Sequence, residues 1–287
     1  MLADILDHLR CPVCHDGLRL DAQGVRCGRG HAFDVARQGY VSLLTGSQAP
    51  GTADSPAMVA ARADFLAAGH YAPLARALAE TIGAAIPPAV ESPVVADAGA
   101  GTGYYVGAVL DAAPGATGIA FDISKHAVKR AARAHERVGA FVADVWKPLP
   151  VKDAVADVVM NVFAPRNGVE FARIMRPGGH LIVVTPAGDH LSPLVRELGL
   201  LSVDEAKEHR VAESLRGFTE TDRREVRFEM ALTREDVALV VGMGPSAWHK
   251  DQDHLTHQIR KFPEWTPAIA SFRLSIFQAA AQSRAIP

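Results

Sequence analysis

Short, nearly continuous apolar runs alternate with helical segments through the middle of the chain. Residues 93–97 (PVVAD), 117–121 (TGIAF), 140–144 (AFVAD), 154–163 (AVADVVMNVF) and 180–185 (HLIVVT) read as five strands. Strands apolar on both faces and separated by helices indicate a mainly parallel sheet covered on both sides. Near the end the period changes. Residues 224–232 (REVRFEMAL) and 271–279 (SFRLSIFQA) alternate polar and apolar side chains, as strands with one wetter face do, and suggest an antiparallel pair at the sheet's edge. Helices are expected over about 55–68, 73–85, from the turn after 97 to 112, over 124–137, and through FARIM before Pro177. Asp54-Ser55-Pro56 is a helix start, with a capping side chain followed by proline at the first helical position.

The pattern is different before residue 57. Residues 45–56 (TGSQAPGTADSP) have no apolar periodicity and read as a linker. Residues 1–44 form a small N-terminal domain, and 57–287 the main domain, with 57–92 as its helical lead-in. The expected class is α/β: a Rossmann-like, mostly parallel seven-stranded sheet with a small zinc-ribbon-like N-terminal domain.

Composition narrows the reading only modestly. The 287 residues are 48% apolar and 22% charged, with a formal net charge of −2. This suits a globular chain and excludes an intrinsically disordered one. No apolar run approaches the ~18 residues of a membrane span, and MLADILDHLR is not a secretory signal. A cytoplasmic protein with reduced thiols is expected, and no membrane partner.

The three cysteines carry more information. Cys11, Cys14 and Cys27 fall with His31 in the spacing C-x2-C-x12-C-x3-H. Two knuckles about a dozen residues apart can close a tetrahedron around zinc, with four protein ligands and no open position, so the metal is structural. A segment of this size has too little core to stand alone, and structural zinc can supply on the order of 10 kcal/mol. A redox role for Cys11 and Cys14 would leave Cys27 and His31 unexplained.

The second signal is Asp97-Ala98-Gly99-Ala100-Gly101-Thr102-Gly103, directly after one strand and before a helix. A dinucleotide fingerprint would place its third glycine at 104, where Tyr104 stands. Asp97 would repel a pyrophosphate but suits a ligand with a cationic amino group, and S-adenosylmethionine is such a ligand. Asp122 ends the second strand, 21 residues after Gly101, where a carboxylate can accept ribose hydroxyls. Asp144, ending the third, is placed for an adenine amino group.

Those motifs, together with HAFDVARQGYVSLL (31–44), AARADFLAAGHYAPL (60–74), NVFAPRN (161–167), RPGGHLIVVTP (176–186) and MGPSAWH (243–249), resemble the large-subunit rRNA guanine-N1 methyltransferases. NVFAPRN and MGPSAWH are similar to the branch linked to tylosin and mycinamicin resistance. The resemblance covers nearly the whole chain. It implies methyl transfer from S-adenosylmethionine to N1 of one guanine in a 23S rRNA hairpin loop near the peptide exit tunnel. The alternative target is a guanine three nucleotides away, modified by a sister branch. It also implies cofactor contacts at Tyr71, Gly101, Thr102 and His190, and a possible homodimer sharing one RNA.

Guanine N1 carries a proton that must leave, so a general base would help. Asn161, Asp189 and His190 are near the expected site, with Asn161 and His190 as the catalytic candidates and Asn161 expected to orient the guanine. Phe163 and Trp248 are candidate stacking residues. The basic run over 124–137, with Arg26, Arg29 and Arg37 near the knuckles, could meet phosphates. Two other readings share these features: a small-molecule methyltransferase, and a zinc-ribbon RNA-binding protein without activity.

Overall fold

A computed structural model describes residues 1–46, 53–200, 213–244 and 252–280. Eight strands form one sheet in the order β10-β11-β9-β8-β5-β6-β7-β4. They are β4 (Tyr40–Ser42), β5 (Val94–Ala98), β6 (Thr117–Asp122), β7 (Val138–Val142), β8 (Ala156–Val162), β9 (Met175–Pro186), β10 (Phe218–Thr233) and β11 (Trp265–Ala279). The pairs from β9 through β4 are parallel, while β11 runs antiparallel to β9 and β10 antiparallel to β11. The expected antiparallel pair is therefore present at the expected edge, and both of its strands begin earlier than expected. A second, three-stranded antiparallel sheet joins β1 (Leu18–Asp21), β2 (Gly24–Cys27) and β3 (Ala32–Phe33), with the hairpin turning where Asp21 meets Gly24.

The lead-in forms α2 (Pro56–Ala67) and α3 (Ala72–Ala85). The Ser55 hydroxyl accepts from the Met58 N–H at 3.2 Å and caps α2, and Gly69 turns the chain out of it at φ +83°. Helices α4 (Tyr104–Ala112), α5 (Lys125–Ala131) and α6 (Gly168–Ile174) return the chain between parallel strands, and α8 (Arg234–Gly242) follows a short α7 (Leu194–Glu197) and β10. The last helix, α9, spans Gln252–Ile259. One face of the sheet packs on α3, α4, α5 and α8 through residues such as Leu78, Val109, Val128 and Val240. The other packs on α1 (Leu2–Ile5), α6 and the zinc-ribbon residues.

Two findings depart from the sequence reading. The basic helix is shorter than the expected 124–137, because α5 stops at Ala131 and Arg137 turns inward. Its guanidinium donates to the carbonyls of Ala113 (2.9 Å), Ala116 (2.7 Å) and Leu110, closing the end of α4. That arginine serves a helix terminus and is not a phosphate ligand.

The second departure is the eighth strand, where seven were expected. It comes from residues 40–42, with Tyr40 opposite Ala140, Val41 opposite Phe141 and Ser42 opposite Val142. Ile5 packs over Gly139, where an added Cβ would lie 2.4 Å from Ile5 Cγ1. One hydrophobic cluster runs from Leu2, Ile5, Cys11, Val25 and Val41 into Ile119, Phe121 and Phe141. Packing thus crosses the boundary expected at residue 44. Ile5 is fully buried in this shared core. Truncating it with Ile5→Ala should lower the unfolding free energy by about 2–5 kcal/mol, measured by urea denaturation. A loss under about 1 kcal/mol would show that the N-terminal segment does not stabilise the sheet.

Candidate functional site

The knuckle cysteines and His31 come together as the spacing predicted. Their ligand atoms all lie within 4.8 Å of one another. Cys14 Sγ is 3.6 Å from Cys27 Sγ, and His31 Nδ1 is 3.6 Å from Cys11 Sγ and 3.3 Å from Cys27 Sγ. Tetrahedral zinc with bonds of about 2.3 Å to sulfur and 2.0–2.1 Å to nitrogen sets ligand separations of roughly 3.6–3.8 Å, so the cluster is the right size for that ion. Local backbone bonds hold the knuckles. The Cys11 N–H donates to Asp16 at 2.7 Å, and the Gly30 N–H to Cys27 at 3.1 Å in a turn where Gly30 takes φ +88°. Three thiolates and an imidazole leave no position for substrate.

The other centre is a cavity of about 650 Å³ at the carboxyl edge of the parallel strands. Strand order reverses here: β5 lies between β6 and β8, so the loops leaving its two neighbours diverge and open a crevice. The turn after β5 forms its floor. The N–H groups of Gly99 and Ala100 both donate to the Phe121 carbonyl, at 2.9 and 3.0 Å, and bring the turn against the end of β6. Gly99 sits at φ +81°, where a Cβ would come within 2.3 Å of Ala164 Cβ. Only glycine lets these two loops approach so closely.

Tyr71, Asp97, Gly99, Gly101, Thr102, Asp122, Asp144 and His190 line this cavity together. Gly103 does not. It caps α4 at φ +79° and faces α5, where a Cβ would lie 2.8 Å from Ala131 Cα, so its role is helix packing.

The acids have distinct environments. Asp97 is 1% exposed, and its Oδ1 is buried with no hydrogen-bond partner. Burial, reinforced by the Asp122 charge, pushes its carboxyl up to about 8. Such an acceptor is costly in an empty cleft and favourable beside a cation. Asp122 accepts from the Gly101 N–H at 2.9 Å and the Ser124 N–H at 2.8 Å, and burial raises it despite those two bonds. Asp144 accepts from the Trp146 N–H at 3.0 Å.

Tyr71 and His190 form a pair, Tyr71 Oη lying 3.2 Å from His190 Nε2. His190 Nδ1 accepts from the Ser271 N–H at 3.3 Å. In the neutral ring this leaves the proton on Nε2, which donates to the Tyr71 oxygen and frees the Tyr71 hydroxyl proton for another acceptor. His190 therefore fits a wall of the cofactor site better than the expected catalytic base. Asp189 is outside the cavity lining. Hydrogen bonding to Ser271 and to Arg227 (3.0 Å) holds its carboxyl below the usual range.

Asn161 also departs from expectation. It is fully buried, does not line the cavity, and donates through Nδ2 to the carbonyls of Ala98 and Pro165, both at 2.9 Å. It ties the β5 end to the loop 163–167, and its Oδ1 is buried without a hydrogen-bond partner among the described residues. Phe163, in that loop, is 41% exposed, faces the cavity and adopts φ +56°. A bulky residue there stores roughly 1–3 kcal/mol, a cost met at functional loops. Trp248, His249 and most of MGPSAWH lie outside the described residues.

Three cavity residues were missed in the sequence. Arg62 on α2 pairs with Asp54 and donates to the Met243 carbonyl at 2.9 Å, folding the lead-in over the cavity. Trp146 follows Asp144 by two positions and is 61% exposed at the mouth. Arg166 lies inside NVFAPRN. The signals for the last two were position alone, just past a strand end.

Floor, acidic ring and sheet reversal define a class I S-adenosylmethionine-dependent methyltransferase, here carrying a zinc ribbon. Residues 96–183 match the family described as Methyltransferase domain, and residues 9–48 the one described as RlmA, N-terminal. A Micromonospora griseorubida protein named a 23S rRNA (guanine-N1)-methyltransferase is 49% identical, across 97% of this chain and 99% of its own. A Streptomyces fradiae protein named 23S rRNA (guanine(748)-N(1))-methyltransferase is 47% identical, across 92% and 94%. One from Bacillus subtilis is 30% identical, across 86% and 89%. The chain belongs to the 23S rRNA (guanine-N1)-methyltransferase family.

Because Cys11 and Cys27 are buried in the core shared with the sheet, zinc stabilises more than the ribbon. The purified protein should hold about one zinc per chain, and a strong chelator should lower its single melting transition by roughly 5 °C or more. Cys14→Ser should reproduce both effects. An unchanged melting curve after metal loss would show that ribbon and sheet unfold separately.

Proposed function

We propose that the chain transfers a methyl group from S-adenosylmethionine to N1 of guanine 748 in 23S rRNA, the nucleotide in the Streptomyces fradiae relative's name. The observation that carries this reading is the 47% identity to that protein over nearly the full length of both. The unpartnered Asp97 carboxylate in an otherwise complete cofactor crevice supports it. In this reading the substrate is a hairpin loop near the peptide exit tunnel, methylated in the cytoplasm, and the modification counters tylosin-type macrolides. A homodimer gripping one RNA belongs to the same reading. Among the described residues no helix is long and apolar enough to cross a membrane.

The cofactor supplies a methyl group on a sulfonium. Asp97 would hold its ammonium, Asp122 its ribose hydroxyls and Asp144 its adenine amino group, with Gly101, Thr102, Tyr71 and His190 lining the same cavity. Phe163 and Trp146 are placed to stack on a base turned out of the RNA, which N1 attack requires because N1 lies on the pairing edge. Asn161 is a positioning residue that holds the loop bearing Phe163. Transfer is an in-line displacement, so holding nucleophile and methyl group in register supplies much of the acceleration. A small-molecule methyltransferase would have no use for the ribbon, and an inactive RNA binder no use for the intact acidic ring.

Labelled methyl transfer to naked 23S rRNA fragments, followed by mapping of the modified nucleotide, tests the assignment. Label on N1 of guanine 748 is expected; label on the neighbouring guanine, or none, overturns it.

The state of Asp97 gives a pH signature. Its carboxyl in the ligand-free protein titrates near 8, above the ordinary 3.8, so ionisation costs the fold stability as pH rises between those values. An ammonium partner recovers that loss. Thermal stabilisation by S-adenosylmethionine should therefore grow from pH 6 to pH 8, with affinity rising up to about tenfold per unit at the lower end. Asp97→Asn should bind weakly and lose the slope. A wild-type affinity independent of pH would remove Asp97 from the ammonium site. Asn161→Ala should reduce turnover about tenfold or more while cofactor affinity changes little; equal losses in both would place Asn161 in cofactor binding instead.

A further inference from the structure

Arg166 is the one strongly basic residue of the loop between β8 and α6, and nothing described so far uses its charge. It lines the cavity with Phe163 and Trp146. Its Nε is buried with no hydrogen-bond partner, and among the described residues no carboxylate or carbonyl pairs with its guanidinium. Burial pulls it down to about 10.

The loop is anchored on both sides of this residue. Asn161 Nδ2 holds the Pro165 carbonyl at 2.9 Å. Asn167 accepts from the Glu170 N–H at 3.3 Å, capping α6, and donates to the Val145 carbonyl at 2.9 Å. A guanidinium with no partner among the described residues, on a braced loop lining an open cavity, is arranged for a partner that arrives with the substrate. Three surface arginines, by contrast, meet acids: Arg29 with Asp16, Arg223 with Glu220, and Arg227 with Asp189.

We infer that Arg166 is a catalytic residue that grips the O6 edge of the target guanine and stabilises the negative charge that develops there when N1 loses its proton. The inference rests on the guanine-N1 reading above. In this step the N1 proton passes to water, and the electron pair it leaves is shared between N1 and O6. N1 then forms a bond to the methyl carbon, the carbon–sulfur bond breaks with its pair on sulfur, and both products are neutral at the reacting atoms. A fixed guanidinium beside O6 favours the deprotonated base, so the cavity needs no side-chain base. That agrees with the placement of the two titratable residues named near the site: His190 is engaged through both ring nitrogens, and Asp189 lies outside the lining. The same contact selects the base. Guanine presents O6 and N7 as acceptors to a guanidinium fork, whereas adenine places an amino donor at position 6.

The test is single-turnover methylation of the 23S rRNA fragment by the full-length protein and by Arg166→Ala and Arg166→Lys, from pH 6 to pH 9. Affinities for S-adenosylmethionine and for the RNA are measured in parallel. Loss of one preorganised donor at a developing oxyanion typically lowers kcat about 10²–10³-fold. Arg166→Ala should show a loss of that order at pH 7, regain rate about tenfold per pH unit toward pH 9, and respond to added guanidinium. Both affinities should stay within about twofold. Arg166→Lys, which keeps the charge and bulk, should fold normally and fall between the two.

Other outcomes overturn the inference. Weakened RNA binding with a shallower salt dependence and unchanged kcat makes Arg166 a phosphate ligand. Weakened cofactor binding makes it a partner of the cofactor's carboxylate. A uniformly reduced rate with the wild-type pH profile leaves it only a packing role. If wild type itself methylates a different base or none, the parent reading fails, and that result is separate from the behaviour of the variants.

Discussion

The molecule depends on β5 having parallel partners on both sides whose connections leave in opposite directions. Val95 and Asp97 pair with Val158 and Met160 of β8 on one side, and with Gly118 and Ala120 of β6 on the other. These registers bring the ends of β5, β6, β7 and β8 to one level, and the loops that follow must part above β5. The acids of the cofactor site, Asp97, Asp122 and Asp144, stand at or just beyond those ends. A slip of one residue would turn Asp97 to the other face of the sheet and fill the crevice with alanine. Geometry here follows from apolar pairing well below the chemistry.

That arrangement gathers negative charge where water is scarce. Asp97 and Asp122 line one pocket; burial discourages ionisation of both, and the Asp122 charge adds to the effect at Asp97. The structure relieves Asp122 with two main-chain donors and leaves Asp97 without any at Oδ1. A doubly cationic ligand with a ribose answers both needs at once. Arg166, on the loop after β8, adds one positive charge to the lining of the same cavity.

Much of this was legible in the residues. Continuous apolar runs and their spacing marked all five parallel strands of the middle region, the alternation near the end marked the antiparallel pair, and the cysteine spacing marked the metal cluster, whose four atoms meet within a ligand sphere. β4 escaped notice because Tyr40-Val41-Ser42 is too short to show a period. It forms through pairing with residues far along the chain, which no local window contains. Helix α5 was read too long for a related reason: its composition favours helix through residue 137, but the carbonyls ending α4 claim Arg137. At the site, aspartates at strand ends were readable because their positions follow from the strands. The roles of Asn161 and His190 were not, because a side chain near a strand end can point into the cleft or behind it. Only the partners decide between those, and Ala98, Pro165 and Ser271 are distant in sequence or unremarkable in type.

Consider finally what β4 does to the order of events in synthesis. Residues 11–31 can gather their metal as soon as they leave the ribosome, since all four ligands are local. Tyr40–Ser42 must wait for Ala140–Val142, and Ile5 must wait for Gly139. The earliest part of the chain thus docks only after about half of the chain has been made, its apolar side uncovered until then. When it closes, it occupies the outer edge of β7, which would otherwise offer bare backbone to any passing strand. The N-terminal segment thus covers a strand edge of the sheet, a task independent of whatever RNA the finished enzyme meets.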